Sequence, residues 1–186
     1  MQRKASNIAR ETKMLDAALG LFSRVGFRAA TMEQIALEAG FSKATVYAYF
    51  ADKEDVFRSV GTRLAEDIVA TVEKGLAIEG TVSDRVSAAL QAKDTMIYEL
   101  VRSSPYAAEL FAAKHELIAS TFEETDTRVQ KAIRGALADS KLDGVSAARR
   151  ARILVRASRG LAACADSAKS LRADIAVLVA GLVPPS

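Results

Sequence analysis

Ser42-Lys43-Ala44-Thr45-Val46-Tyr47-Ala48-Tyr49-Phe50 is the stretch on which the reading of this chain turns. Ser42 is a good helix N-cap, because its hydroxyl can accept a hydrogen bond from a backbone N–H of the first turn. Val46 and Phe50 stand four apart, so they share one helical face and point inward. Lys43, Ala44, Tyr47 and Ala48 occupy the other face and offer a cation, a phenol and two small side chains. A major groove accepts a short helix with a small, cationic, hydrogen-bonding face. An amphipathic helix in a bundle would also turn Val46 and Phe50 inward, but it would seldom expose two tyrosines as well.

Working outward, the preceding segment Thr31–Ala39 reads as a second helix. Thr31 and Gln34 have the spacing of a capping box, and Gly40 suits the left-handed residue that ends a helix. The unit is therefore helix, turn on Gly40, short helix. Before it, Leu15, Ala18, Leu19 and Phe22 repeat at i, i+3, i+4 and i+7, which predicts an apolar-striped first helix. Three such helices make a domain too small to be robust alone. After it, Asp52 caps a long helix from about Lys53 to Leu76, with Phe57, Val60, Leu64, Ile68 and Val72 at helical spacing.

That surrounding pattern resembles the DNA-binding domain of the TetR family of bacterial transcriptional regulators. From Met14 to Phe57 the chain carries Phe22, Gly26 and Phe27, then Thr31, Ile35, Ala36, Ala39, Gly40 and Ser42. Val46, Tyr47, Tyr49, Phe50, Lys53 and Glu54 follow. Val46 stands where leucine is common in the family, and Ala44 where glycine is common. The resemblance implies that Tyr47, Tyr49 and Lys53 hold phosphates and that Thr31 anchors the second helix on the DNA backbone. It implies that Lys43, Ala44, Thr45 and Ala48 face base edges behind the Ser42 cap. Phosphate contacts position the protein and base contacts select the sequence.

Composition agrees. The chain of 186 residues is rich in alanine and has only three prolines, and no stretch shows sustained period-2 alternation. An all-α protein of about nine helices is expected. Residues 1–50 hold seven Lys/Arg against four Asp/Glu, so their net +3 equals that of the whole chain. A basic N-terminal module on a neutral body suits a polyanion partner for that module alone. Arg3, Lys4, Arg10 and Lys13 form a basic arm that can reach flanking phosphates or the minor groove, or else remain a solvated tail.

Beyond Leu76, Glu79-Gly80-Thr81 breaks the pattern. A fifth helix follows, with Val86, Leu90, Ile97 and Leu100 on one side. Pro105 opens a short sixth behind Ser103 or Ser104. Ile118, Phe122, Val129, Ile133 and Leu137 mark a seventh, and Asp143-Gly144 ends it. Ser146 caps an eighth helix, with an apolar stripe of Ile153, Ala157, Leu161 and Cys164. Ser170 caps a ninth, which Pro184-Pro185 stops. The eighth is rich in small residues and the ninth is apolar on more than one face, so their surplus apolar surface calls for a partner chain. The family resemblance implies a homodimer in which these two helices, about 146–165 and 170–183, pair with their copies.

The chain thus divides into a helix-turn-helix DNA-binding domain over residues 1–52 and a helical effector-binding and dimerisation domain over residues 53–186. The expected function is transcriptional regulation through double-stranded DNA carrying a palindromic operator. A repressor released by a small-molecule effector is the leading form. The alternative is a helical small-molecule-binding module with no transcriptional role. By the resemblance, Met96, Leu100, Phe111, His115 and Phe122 are candidates to line the effector pocket, although a methionine or aromatic at helical spacing also serves an ordinary core. No cofactor or metal is expected, because the chain lacks a Gly-rich phosphate loop and the CxxC and HExxH spacings. Catalysis is not expected either: His115, with Glu109 and Glu116, is the single histidine. Cys164 cannot form an intramolecular disulfide and reads as a small buried hydrophobe. Met1–Lys13 is polar, and the longest apolar run, Ile175–Val183, is too short for a span of about 20 residues. A cytoplasmic location, away from membranes, is expected.

Overall fold

The computed structural model describes residues 2–104, 106–107, 116–138 and 145–183, with side chains from Ser6 onward. Among these residues every regular element is an α-helix, and there are eight. They are α1 (Gln2–Ala29), α2 (Met32–Ala39), α3 (Lys43–Tyr47), α4 (Lys53–Leu76), α5 (Val82–Arg102), α6 (Ala119–Leu137), α7 (Ala147–Cys164) and α8 (Ala168–Leu182). The short helix expected from Pro105 falls largely outside the described residues. The chain forms two compact units, one of residues up to Leu64 with Val101–Thr121, the other of Ala65–Leu100 with Phe122–Ser186.

In the first unit, α1 breaks at Gly26, whose φ of 79° and ψ of 160° are not helical. The break turns Phe27 back so that its ring lies 5.8 Å from Phe22 and 4.8 Å from Phe57. Phe22 and Phe57 meet edge to face at 5.5 Å. Met14, Ala18, Ile35, Val46 and Val56 complete a core drawn from α1, α2, α3 and the start of α4. Arg63 on α4 donates to the Thr12 carbonyl at 3.0 Å and pairs with Asp16, which ties α4 to α1. Asp52 starts α4 as predicted, and Asp55 answers it from the first turn. Asp55 N–H donates to Asp52 Oδ1 at 2.7 Å, and Ala51 N–H donates to Asp55 Oδ2 at 3.0 Å. Carboxylates on the first turn also favour the positive end of the helix dipole.

In the second unit, α4 and α5 approach closely at Gly75: a side-chain carbon there would lie 2.6 Å from the Ala89 nitrogen. Arg85 Nε donates to the Leu76 carbonyl at 2.6 Å and closes the end of α4. Thr81 caps α5, and Asp84 Oδ2 accepts in return from Thr81 N–H at 3.0 Å. The Glu79–Thr81 break is thus a helix start as well as a stop. The buried face of α5 is Val86, Ala89, Leu90, Lys93, Asp94 and Tyr98, which corrects the stripe through Ile97 and Leu100. Two charged residues share that face because neighbours in a helix point 100° apart and a broad inward face covers both. On α6 the stripe Val129, Ile133 and Leu137 is buried as expected.

Three further expectations are corrected at the C-terminal helices. α8 is capped by Ser167, and Ser170 is the third helical residue, reciprocating in a capping box. Both serines fit a cap, and the box geometry decides for the earlier one. α7 does start behind Ser146, but it packs through Ala151, Leu154, Val155 and Ser158. The stripe Ile153, Ala157, Leu161 and Cys164 lies a step round the helix and stays partly or wholly exposed. Cys164, the last residue of α7, is exposed rather than buried. Arg150 fastens α7 to α8 by donating to the Leu182 carbonyl, with a second bond to Val145 at 3.2 Å. No described helix is long and apolar enough to cross a membrane.

Candidate nucleic-acid interface

The turn between α2 and α3 is built as its residues require. Thr31 accepts from Gln34 N–H at 3.2 Å while Gln34 Oε1 accepts from Thr31 N–H at 2.9 Å, a complete capping box. Gly40 ends α2 at φ 70° and ψ 33°, a left-handed conformation that costs a side-chain-bearing residue about 1–2 kcal/mol. Phe41 N–H then donates to the Ala36 carbonyl at 2.9 Å. Ser42 Oγ accepts from Thr45 N–H at 3.1 Å, so Ser42 occupies the N-cap.

α3 is a single turn and a half, shorter than the segment that suggested it. Val46 and Phe50 anchor it in the core, and Ser42, Lys43, Ala44, Tyr47 and Ala48 stand exposed. Thr45 is half-buried because its hydroxyl folds back to Ser42 at 2.8 Å. Tyr49 is half-buried too, which corrects the expectation of two exposed tyrosines: its hydroxyl donates to Asn7 Oδ1 on α1 at 3.3 Å.

Both lysines assigned to this surface already have partners. Lys53 Nζ donates to the carbonyls of Ala30 at 2.8 Å and Arg28 at 3.2 Å, and lies 4.6 Å from the centre of the Phe27 ring. It thereby satisfies two carbonyls that the end of α1 leaves open. Lys43 pairs with Glu33 on the first turn of α2, and its Nζ lies 5.6 Å from the Tyr47 ring centre. The hydrogen bond from Lys43 holds the Glu33 carboxyl below its ordinary range, and the same bond holds the Lys43 ammonium above its own. The pair is therefore ionised at neutral pH. Sequence reading missed Glu33, which stands two residues after the Thr31 cap and carries no motif of its own; only folding brings it beside Lys43. Of the basic arm, Arg10 is exposed and Lys13 Nζ lies 5.4 Å from the Phe41 ring centre, next to the turn.

In the second unit Met96, Leu100 and Phe122 are half-buried. Met96 sulfur accepts from Thr71 Oγ1 at 3.8 Å. Phe111 and His115 lie outside the described residues. Close by in sequence, sequence reading missed Lys93 and Asp94, which pair with each other at 3% and 2% exposure. Asp94 Oδ2 and Thr95 Oγ1 are buried with no hydrogen-bond partner. Among the described residues no group of three or more His, Cys, Asp or Glu could hold a metal ion.

A capped two-helix unit with an exposed cationic turn, packed on a third helix, defines a helix-turn-helix DNA-binding protein. The family profile described as "Bacterial regulatory proteins, tetR family" matches residues 14–60. YhgD of Bacillus subtilis (strain 168), described as an uncharacterized HTH-type transcriptional regulator, is 24% identical over 139 residues. That match covers 75% of this chain and 71% of YhgD. Residues 14–60 thus carry a DNA-binding domain of the TetR type, and the chain is similar to HTH-type transcriptional regulators over most of its length. Solved structures share the fold over nearly the full length. The fatty acid degradation regulator FadR from Bacillus halodurans aligns with a TM-score of 0.71 at 15% identity, covering 95% of this chain and 97% of that one. FadR from Bacillus subtilis, solved in complex with stearoyl-CoA, aligns with a TM-score of 0.67 at 16% identity, covering 90% and 96%.

Proposed function

We propose that this regulator is a cytoplasmic repressor that binds a palindromic operator as a homodimer and is released by a small-molecule effector. Residues 1–52 act as the DNA-binding domain and residues 53–186 as the effector-binding and dimerisation domain. The observation that carries the DNA-binding part is the exposed face of α3. Lys43, Ala44 and Ala48 turn toward base edges, with Thr45 beside them. Tyr47, Tyr49 and Lys53 flank phosphates, and Thr31 and Ser42 fix the two helix starts.

Apolar surface left on α7 and α8 supports the dimer. Ile153 is 37% exposed and Val177 74% exposed, and a second copy of the same helices covers both. A two-fold dimer sets two α3 helices on one face of a duplex, about 34–36 Å or a multiple apart, which calls for an inverted repeat. The buried oxygens of Asp94 and Thr95, short of hydrogen-bond partners, support an effector site in the second unit near Met96, Leu100 and Phe122. A bound molecule is one way such groups are satisfied.

An effector that fits only the DNA-incompetent spacing couples to the operator by typically 1–3 kcal/mol, and the coupling is reciprocal. A thermal-shift screen of hydrophobic metabolites and drugs identifies the ligand, since binding to the folded state raises its stability. Its affinity is then measured with and without operator. Operator is expected to weaken ligand binding about 5–150-fold. Equal affinities would contradict the release mechanism.

A further inference from the structure

We propose that Glu33 is a specificity-determining residue: its carboxylate withholds the Lys43 ammonium from phosphates, so that Lys43 contributes only where base edges displace the pair. The inference rests on the DNA-binding reading of α3 given above.

Glu33 lies on the first turn of α2 and Lys43 opens α3, so the pair bridges the two elements of the helix-turn-helix. The Lys43 and Glu33 side chains are 56% and 57% exposed, within reach of a duplex laid against α3. Glu33 is favoured where it stands even without Lys43, because a carboxylate at a helix N-terminus meets the positive end of the dipole. An unpaired Lys43 would neutralise a phosphate on any sequence and release a condensed cation. Paired with Glu33 it gains little by moving, since the phosphate replaces a carboxylate already bonded to the same ammonium. It would also leave that carboxylate facing the polyanion. The N-terminal fifty residues carry only seven Lys/Arg, so withholding one of them weakens the sequence-independent attraction.

The balance changes at a G·C pair in the major groove. Guanine presents O6 and N7 as acceptors, and the paired cytosine presents its N4 amino group as a donor. The ammonium can take the guanine edge while the carboxylate accepts from cytosine, so both charged groups remain bonded after they separate. On phosphates alone only the ammonium finds a partner. Glu33 thus lowers binding everywhere except where the matching base pair is present.

The full-length protein is titrated against a 30-base-pair duplex pool of random sequence, by fluorescence anisotropy, between 50 and 200 mM salt. Glu33→Gln keeps the helix and removes the charge. It is expected to bind the pool more tightly than wild type. The slope of log K against log salt should steepen by about one, so that its advantage shrinks roughly threefold across that range. In a Lys43→Ala background Glu33→Gln should change the slope by nothing measurable. An unchanged slope in the single variant overturns the proposal. So does the same gain in both backgrounds, which would mean that Glu33 repels phosphates directly rather than through Lys43. Wild-type protein that fails to bind the pool at 50 mM salt would instead sink the DNA-binding reading itself, and the proposal with it.

Discussion

Asp94→Ala is expected to cost about 3–5 kcal/mol of stability, because it leaves the buried Lys93 ammonium without its counter-charge. Against a typical total of 5–15 kcal/mol, that loss leaves the second unit marginal or unfolded. The physics is asymmetric. Taking two charges out of water is expensive, and their attraction repays the cost only while both are present. The double variant Lys93→Met, Asp94→Leu removes both charges and the orphaned Asp94 oxygen, and should be neutral or more stable than wild type. A urea titration of Lys93→Met, Asp94→Leu and the double variant closes the cycle. Additive losses in the double variant would show that the charges do not act as a pair. If the double variant folds well but no longer answers the effector, the pair is kept for recognition rather than for stability.

Phe57→Ala should cost a similar amount, about 3–5 kcal/mol, through a different cause. Phe57 is 1% exposed and its ring meets those of both Phe22 and Phe27, so truncation leaves a cavity where three aromatic rings met. Those rings hold the break in α1 and the start of α4 together, and α3 is too short to keep its shape without that support. Helical content and duplex binding should therefore fall together on urea titration of the variant. Phe57→Leu refills most of the space and should retain binding. Loss of binding in Phe57→Ala with an unchanged unfolding midpoint would place Phe57 at the DNA surface instead of in the core.

What was legible in the sequence was local or periodic. The capping box at Thr31, the turn on Gly40, the Ser42 cap and the span of α4 each follow from residues within a few positions of one another. Such signals act through the backbone and survive whatever the rest of the chain does. The misreadings share the opposite property. Lys93 and Asp94 carry no apolar signal and yet are buried on α5, and the stripe ending in Cys164 looks like a core face. On α7 two adjacent stripes are apolar enough to bury, and only the packing of α8 selects Leu154 and Val155. The pairing of Glu33 with Lys43, and of Tyr49 with Asn7, joins residues that sequence spacing alone does not associate. The exposure of Lys43, Ala44, Tyr47 and Ala48 was legible because a helix-turn-helix leaves its outward face out of the apolar pattern.

The central claim is that paired α3 helices read an inverted repeat. It is tested most directly by selecting bound sequences from a random duplex pool with the wild-type protein at physiological salt. The selection should converge on two symmetric half-sites whose centres lie about 10–10.5 base pairs or a multiple apart, with Lys43→Ala relaxing preference at one or two positions of each. A pool that stays random after repeated selection, or a consensus that Lys43→Ala leaves untouched, would contradict it.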